Sequence, residues 1–133
     1  MTDVPATADT ALLADLAAVR AVVATYAEAT RAGDIAALKR VFAPEALMSG
    51  HMGDAAMVGG PEPFYAFMAD YRPTEAQRAA YGWEITHLAV AGRAAAATLV
   101  ETNLAGLSFT DYFHLLKRDG VWRIIAKTFE PGL

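Results

Sequence analysis

The chain has 133 residues, 55% hydrophobic and 20% charged, with a net charge of −4 and no cysteine. This length and composition suit one folded domain and exclude a disordered chain, and the absence of cysteine excludes disulfides, thiolate metal sites and a thiol nucleophile. No Lys/Arg run could neutralise successive phosphates, Gly92 and Arg93 interrupt the most apolar stretch, and acids at Asp3, Asp9 and Asp15 stand where a secretory leader would be basic. We therefore expect a cytoplasmic protein with no nucleic-acid or membrane partner.

Met1–Ala8 is expected to be a loose arm, and residues 9–133 a single domain. From Leu12, the positions Leu12, Leu16, Val19, Val23, Tyr26 and Thr30 recur at steps of four and three, which predicts a helix with one buried face. Asp9 or Thr10 can cap its start, and Gly33 can end it. Asp34 then caps a shorter helix carrying Ile35, Leu38, Val41 and Phe42, which Pro44 stops. Ala46–Ser49 and Ala55–Val58 read as a small hairpin or two short strands separated by Gly50, His51, Met52 and Gly53. Glu62–Tyr71 places Phe64, Phe67, Met68 and Tyr71 on one face of a third helix, ended by Arg72 and Pro73.

The second half predicts four strands, Trp83–Ala91, Arg93–Asn103, Ser108–Arg118 and Val121–Phe129, with turns at Ala91-Gly92, Ala105-Gly106 and Asp119-Gly120. Around Asp111 both alternating sets are largely apolar: Phe109, Phe113 and Leu115 on one face, Tyr112, His114 and Leu116 on the other. A sheet with one wet face would alternate apolar and polar. Both faces therefore need cover, one from the helices and the other from a second copy in a homodimer.

This order of elements, with Tyr26–Asp34 (YAEATRAGD) followed by Val41–Ala46 (VFAPEA), resembles the nuclear transport factor-like superfamily and its SnoaL-like and ketosteroid isomerase-like members. The ending, Phe109–Phe113 (FTDYF) through Lys117–Ile124 (KRDGVWRI) to Lys127, is most similar to the lumazine-binding-like branch. The resemblance implies an α+β cone in which three N-terminal helices pack on a curved, mainly antiparallel sheet around a pocket. It is weak for function, because one fold hosts many activities.

It also implies candidate catalytic residues. Tyr26 matches an oxyanion-hole tyrosine, although a buried phenol is equally served by a partner in the core. Asp111 matches a second oxyanion donor that works only while protonated; otherwise it makes a rim or dimer contact. The general base of the isomerases would fall at Gly50, which has no side chain, so His51 is the nearest substitute, unless it is a plain loop residue. His87 corresponds to a histidine of SnoaL-like dehydratases, and its strand would put Ile85 and Ala89 on its own face. Lys127 matches a lysine common in the last strand of the lumazine-binding-like branch. A two-residue loop at Asp119-Gly120 would pair Asp111 with Thr128, and a three-residue loop would pair it with Lys127.

The candidate pocket lining comprises Phe42, Met48, Met57, Phe64, Phe67, Met68, Tyr71, Phe113, Lys127 and Phe129, which as a group serve equally as core. The Ala94–Ala97 run leaves volume above the sheet or packs tightly against the first helix. Histidines at 51, 87 and 114 have no metal-ligand spacing, and no phosphate loop or nucleophile elbow occurs, so neither metal nor cofactor is expected. The residues thus suit a binder of small ring-bearing molecules, with or without isomerase or lyase chemistry, or a module that only binds or dimerises.

Overall fold

The computed structural model describes residues 6–132. In chain order it comprises α1 (Ala6–Ala32), α2 (Ile35–Val41), β1 (Phe42–Met52), β2 (Ala55–Gly59), α3 (Glu62–Tyr71), α4 (Glu75–Ala80), β3 (Gly82–Ala91), β4 (Ala94–Leu104), β5 (Leu107–Arg118) and β6 (Val121–Pro131). Six strands form one sheet in the order β2-β1-β6-β5-β4-β3, antiparallel except for the parallel pair β1–β6. The predicted α+β architecture of helices on a mainly antiparallel sheet is the one observed. Of the arm expected over Met1–Ala8, the first five residues lie outside the described residues, and Ala6–Ala8 already belong to α1.

α1 packs across β3, β4 and β6 through Val19, Val23, Tyr26, Ala27 and Thr30, all fully buried. Leu12, expected on that face, is 42% exposed, because the helix there runs past its main packing surface on the sheet. By length and apolar content Ala8–Ala32 also meets the requirement for a membrane span, contrary to the expectation that none would. Its polar groups are tied into the domain instead: Asp15 Oδ1 accepts from Lys117 Nζ (2.9 Å) and Trp122 Nε1 (3.0 Å), and Glu28 Oε2 from Trp83 Nε1 (2.7 Å). Asp34 caps α2 by accepting from the Ala37 amide.

Three local features depart from the expected elements. β1 runs unbroken through Gly50, His51 and Met52, so the first hairpin turns at Gly53-Asp54, with Met52 opposite Ala55. A fourth helix, α4, follows a capping box in which the Thr74 hydroxyl accepts from the Gln77 amide and the Gln77 side chain accepts from the Thr74 amide. The β5–β6 turn is the two-residue loop Asp119-Gly120, both at positive φ (51° and 76°), yet Asp111 pairs with Phe129. A bulge at Ile125 shifts the register by one residue, so neither Thr128 nor Lys127 stands opposite Asp111.

The same bulge keeps Lys127 on the face of Phe113 and Phe129, and thus of Asp111. That inner face is the core: Ala95, Ala97, Leu99, Asp111, Phe113, Leu115 and Ile124 are buried. Ala95 and Ala97 lie within this packed core and do not line the cavity described below, so the alanine run serves packing there.

Candidate functional site: an apolar cavity with a buried polar wall

A cavity of about 260 Å³ opens between α3, the β1–β2 hairpin, the β4–β5 hairpin and β6. Its wall is built from Met48, Met52 and Met57, Pro63, Phe64 and Phe67, Leu104, Ala105, Leu107 and Phe109, Phe129, and two ionisable residues, Glu101 and Lys127. The β4 bulge between Glu101 and Leu104 lets Leu104, three residues on, share the inward side of Glu101. Alternation along β4 carries Ala95, Ala97, Leu99 and Glu101 to the same buried face.

Glu101 and Lys127 belong to a buried polar cluster. The Tyr81 hydroxyl donates to Glu101 Oε2 (2.5 Å), Lys127 Nζ donates to the Tyr26 hydroxyl (2.5 Å), and Lys127 Nζ lies 3.9 Å from Asp111 Oδ1. Aromatic rings surround the ammonium, with the centroids of Phe64, Tyr26 and Phe129 at 4.4, 4.9 and 5.4 Å. Neither Asp111 oxygen has a hydrogen bond of ordinary geometry among the described residues, although both are buried. Burial first, then the charge of Asp111 and a bond to it, hold the Glu101 carboxyl well above its usual range, against the opposing pull of Lys127 and Tyr81. Glu101 therefore retains a proton that it can donate. Burial, followed by the charge of Asp111, likewise keeps Tyr26 a phenol.

Tyr81 reaches Glu101 because α1 fixes the end of α4. Arg31 Nη1 donates to the carbonyls of Arg78 (2.7 Å) and Tyr81 (2.8 Å), and its guanidinium lies 5.2 Å from the Tyr81 ring centroid.

The structure brings some of the sequence-derived candidates together and separates others. Tyr26, Asp111 and Lys127 meet, with Lys127 alone of the three on the cavity wall. Met48, Met57, Phe64, Phe67 and Phe129 line the cavity as expected. Phe42, Met68 and Phe113 lie in the core outside the lining, and Tyr71 is half-buried with its hydroxyl accepting from the Ala105 amide. His51 projects from β1 on the side opposite Met48 and Gly50, exposed, with Nδ1 3.9 Å from Glu130. His87 is exposed beside Thr86, and a bulge between Ile85 and His87 sends Ile85 inward while His87 and Ala89 point outward, so Ile85 does not share its face. Gly50 is packed too closely to hold a base: a Cβ there would stand 2.4 Å from the Phe129 carbonyl oxygen and 2.6 Å from its ring.

Sequence reasoning missed Glu101 and Tyr81. The signal for Glu101 was its period-two spacing from Ala97 and Leu99 and its place opposite Phe109. Among the described residues, no group of three or more His, Asp or Glu side chains could hold a metal ion.

Comparison with known proteins places this architecture. The chain belongs to the family named "Putative lumazine-binding", whose profile matches residues 14–130, and its fold is the cone of the nuclear transport factor-like superfamily. An NTF2-like protein of unknown function from Silicibacter pomeroyi DSS-3 is 30% identical, with a TM-score of 0.80 over 89% of this chain and 96% of that one. One from Shewanella baltica OS155 is 22% identical, with a TM-score of 0.81 over 91% and 96%. A ketosteroid isomerase-like protein from Erwinia carotovora atroseptica shares the fold at 21% identity and a TM-score of 0.66, over 88% and 95%. No curated protein matches.

Proposed function

We propose that the chain binds a small, mostly apolar, ring-bearing molecule in the cavity and presents Glu101 and Lys127 to a polar atom of that ligand, without a cofactor. The observation that carries this reading is the wall itself: methionines, aromatic rings and aliphatic side chains around a buried carboxyl group and a caged ammonium. A neutral acid that donates and a cation that attracts suit an oxygen atom bearing partial negative charge. The same pair can support proton transfer, which makes an isomerase or lyase the natural catalytic form. In that form Glu101 takes the donor role that the family pattern would give to Asp111.

A binding role without turnover has its own support, because the position of the isomerase base is filled by Phe129 and His51 and His87 face away from the cavity. Calorimetric titration with phenols, cyclic enones and lumazine, the flat oxygen-bearing ring of the family name, tests the common part. Oxygen-bearing rings should bind, and Glu101→Gln or Lys127→Met should weaken them by about 1–3 kcal/mol, while an oxygen-free ring should be indifferent to both changes. Failure of every ring compound to bind would overturn the reading. Incubation of the bound enones, followed by product analysis, separates turnover from storage.

A further inference from the structure

Lys127 is unlike the other lysines of this chain. Lys39 is exposed, with its ammonium 5.4 Å from the Tyr65 ring centroid, and Lys117 pairs with Asp15 near the surface. Lys127 is 5% exposed and ends on a cavity wall, inside a ring of three aromatic side chains. A lysine that served only as an internal counter-ion would not need to reach a cavity able to admit a second molecule. We propose that Lys127 is a nucleophilic amine that captures the carbonyl carbon of an aldehyde or ketone entering the cavity, forming a covalent imine. The inference rests on the ligand-binding reading above and names the substrate class for that site.

The neighbours supply what each step needs. Asp111 Oδ1, buried and 3.9 Å from Nζ, receives a proton from the ammonium and frees the nitrogen lone pair. The transfer leaves neutral groups in an apolar surrounding, which offsets the cost of breaking a buried ion pair. The amine attacks the carbonyl carbon, a C–N bond forms, and the carbonyl π electrons move to oxygen, which takes a proton from Glu101. The nitrogen then gives up a proton, which restores Glu101, and the neutral carbinolamine remains. Asp111 returns its proton to the hydroxyl, water leaves, and the nitrogen lone pair closes the C=N bond. The balance is one ammonium and one carbonyl converted to one iminium and one water, with Asp111 and Glu101 as they began. The Tyr26 hydroxyl, bonded to Nζ, holds the nitrogen in place throughout.

The test treats the whole chain with benzaldehyde and sodium cyanoborohydride, which reduces an imine to a stable amine, and locates adducts by peptide mass mapping. One adduct per chain is expected, on Lys127, forming about tenfold or more faster than on Lys39 or Lys117. Benzyl alcohol, which has the same ring but no carbonyl, should compete. Lys127→Arg, which keeps the charge, should remove the adduct while circular dichroism reports an intact fold, and Glu101→Gln should slow its formation. Adducts on Lys39 and Lys117 with Lys127 untouched would overturn the proposal. If benzyl alcohol or another oxygen-bearing ring nonetheless bound by calorimetry, the ligand-binding reading would survive that result; if none of them bound, both would fall.

Discussion

Glu101 is a carboxylic acid whose nearest neighbours include a phenol, another carboxyl group and an ammonium. With its folded pKa raised above the ordinary 4.5, the native state holds a proton that the unfolded chain has released once the pH passes that value. Stability carried by this group therefore falls as pH rises from about 4.5 towards the folded pKa, by at most about 1.4 kcal/mol per pH unit for one proton. Glu101→Gln keeps an acceptor for Tyr81 and a donor for Asp111 but cannot ionise. Its stability relative to the parent should rise across that window and level off below pH 4.5, as read from urea melts at several pH values. A difference independent of pH would show that Glu101 ionises as readily in the folded chain as in the unfolded one. Tyr26 behaves differently, because its hydroxyl already accepts from Lys127 inside the fold. Tyr26→Phe leaves a buried ammonium short of an acceptor and should cost about 1.5–3 kcal/mol in chemical denaturation. An unchanged melt would mean that the hydroxyl is held in reserve for a ligand.

At the scale of elements, the parallel contact between β1 and β6 controls the cavity. Gly50 lies opposite Phe129, whose side chain lines the cavity, and the pairing leaves no room for a Cβ. Gly50→Ala should destabilise by about 1–3 kcal/mol through overpacking against backbone that the ladder holds in place, and should also reduce ring-ligand affinity by displacing Phe129. Thermal melts and calorimetry check the two effects, and a variant as stable as the parent would contradict this packing. The local signals here were legible to different degrees. β3–β6 could be placed from sequence because Ala105-Gly106 and Asp119-Gly120 are turn pairs that adopt positive φ. The contact of Lys127 with Asp111 could not, because a bulge at Ile125 carries no sequence mark and moves the register after the turn has set it. A bulge at Ile85–His87 likewise hid which way His87 points, whereas Glu101 follows plain alternation from Ala97 and Leu99. The Thr74–Gln77 capping box was readable, yet a six-residue helix has too short an apolar period to draw attention.

At the scale of the whole molecule, the two faces of the sheet meet different surroundings. The inner face is covered by helices and holds the cavity wall, whereas the outer face presents Tyr112 at 55% exposure, Leu47 at 61% and Leu116 at 38%, with Ala94, Ala96, Thr98 and Thr128 between them. Small and apolar side chains in the middle of a broad sheet suit contact with a like surface, and a two-fold axis lets one such patch cover itself. We therefore propose a homodimer through the outer faces of β4, β5 and β6. An arginine on this face buries a charge opposite its own copy, so Tyr112→Arg should weaken association without touching the inner core. Sedimentation across micromolar concentrations should give about twice 14.1 kDa for the parent and a shift towards 14.1 kDa for Tyr112→Arg. The inner face is separate from this contact, so a monomeric variant that keeps its ring ligand would assign the outer face to assembly and the cavity to recognition. A parent chain that stays monomeric at every concentration would contradict the dimer, and the exposed tyrosine and leucines would then need another partner.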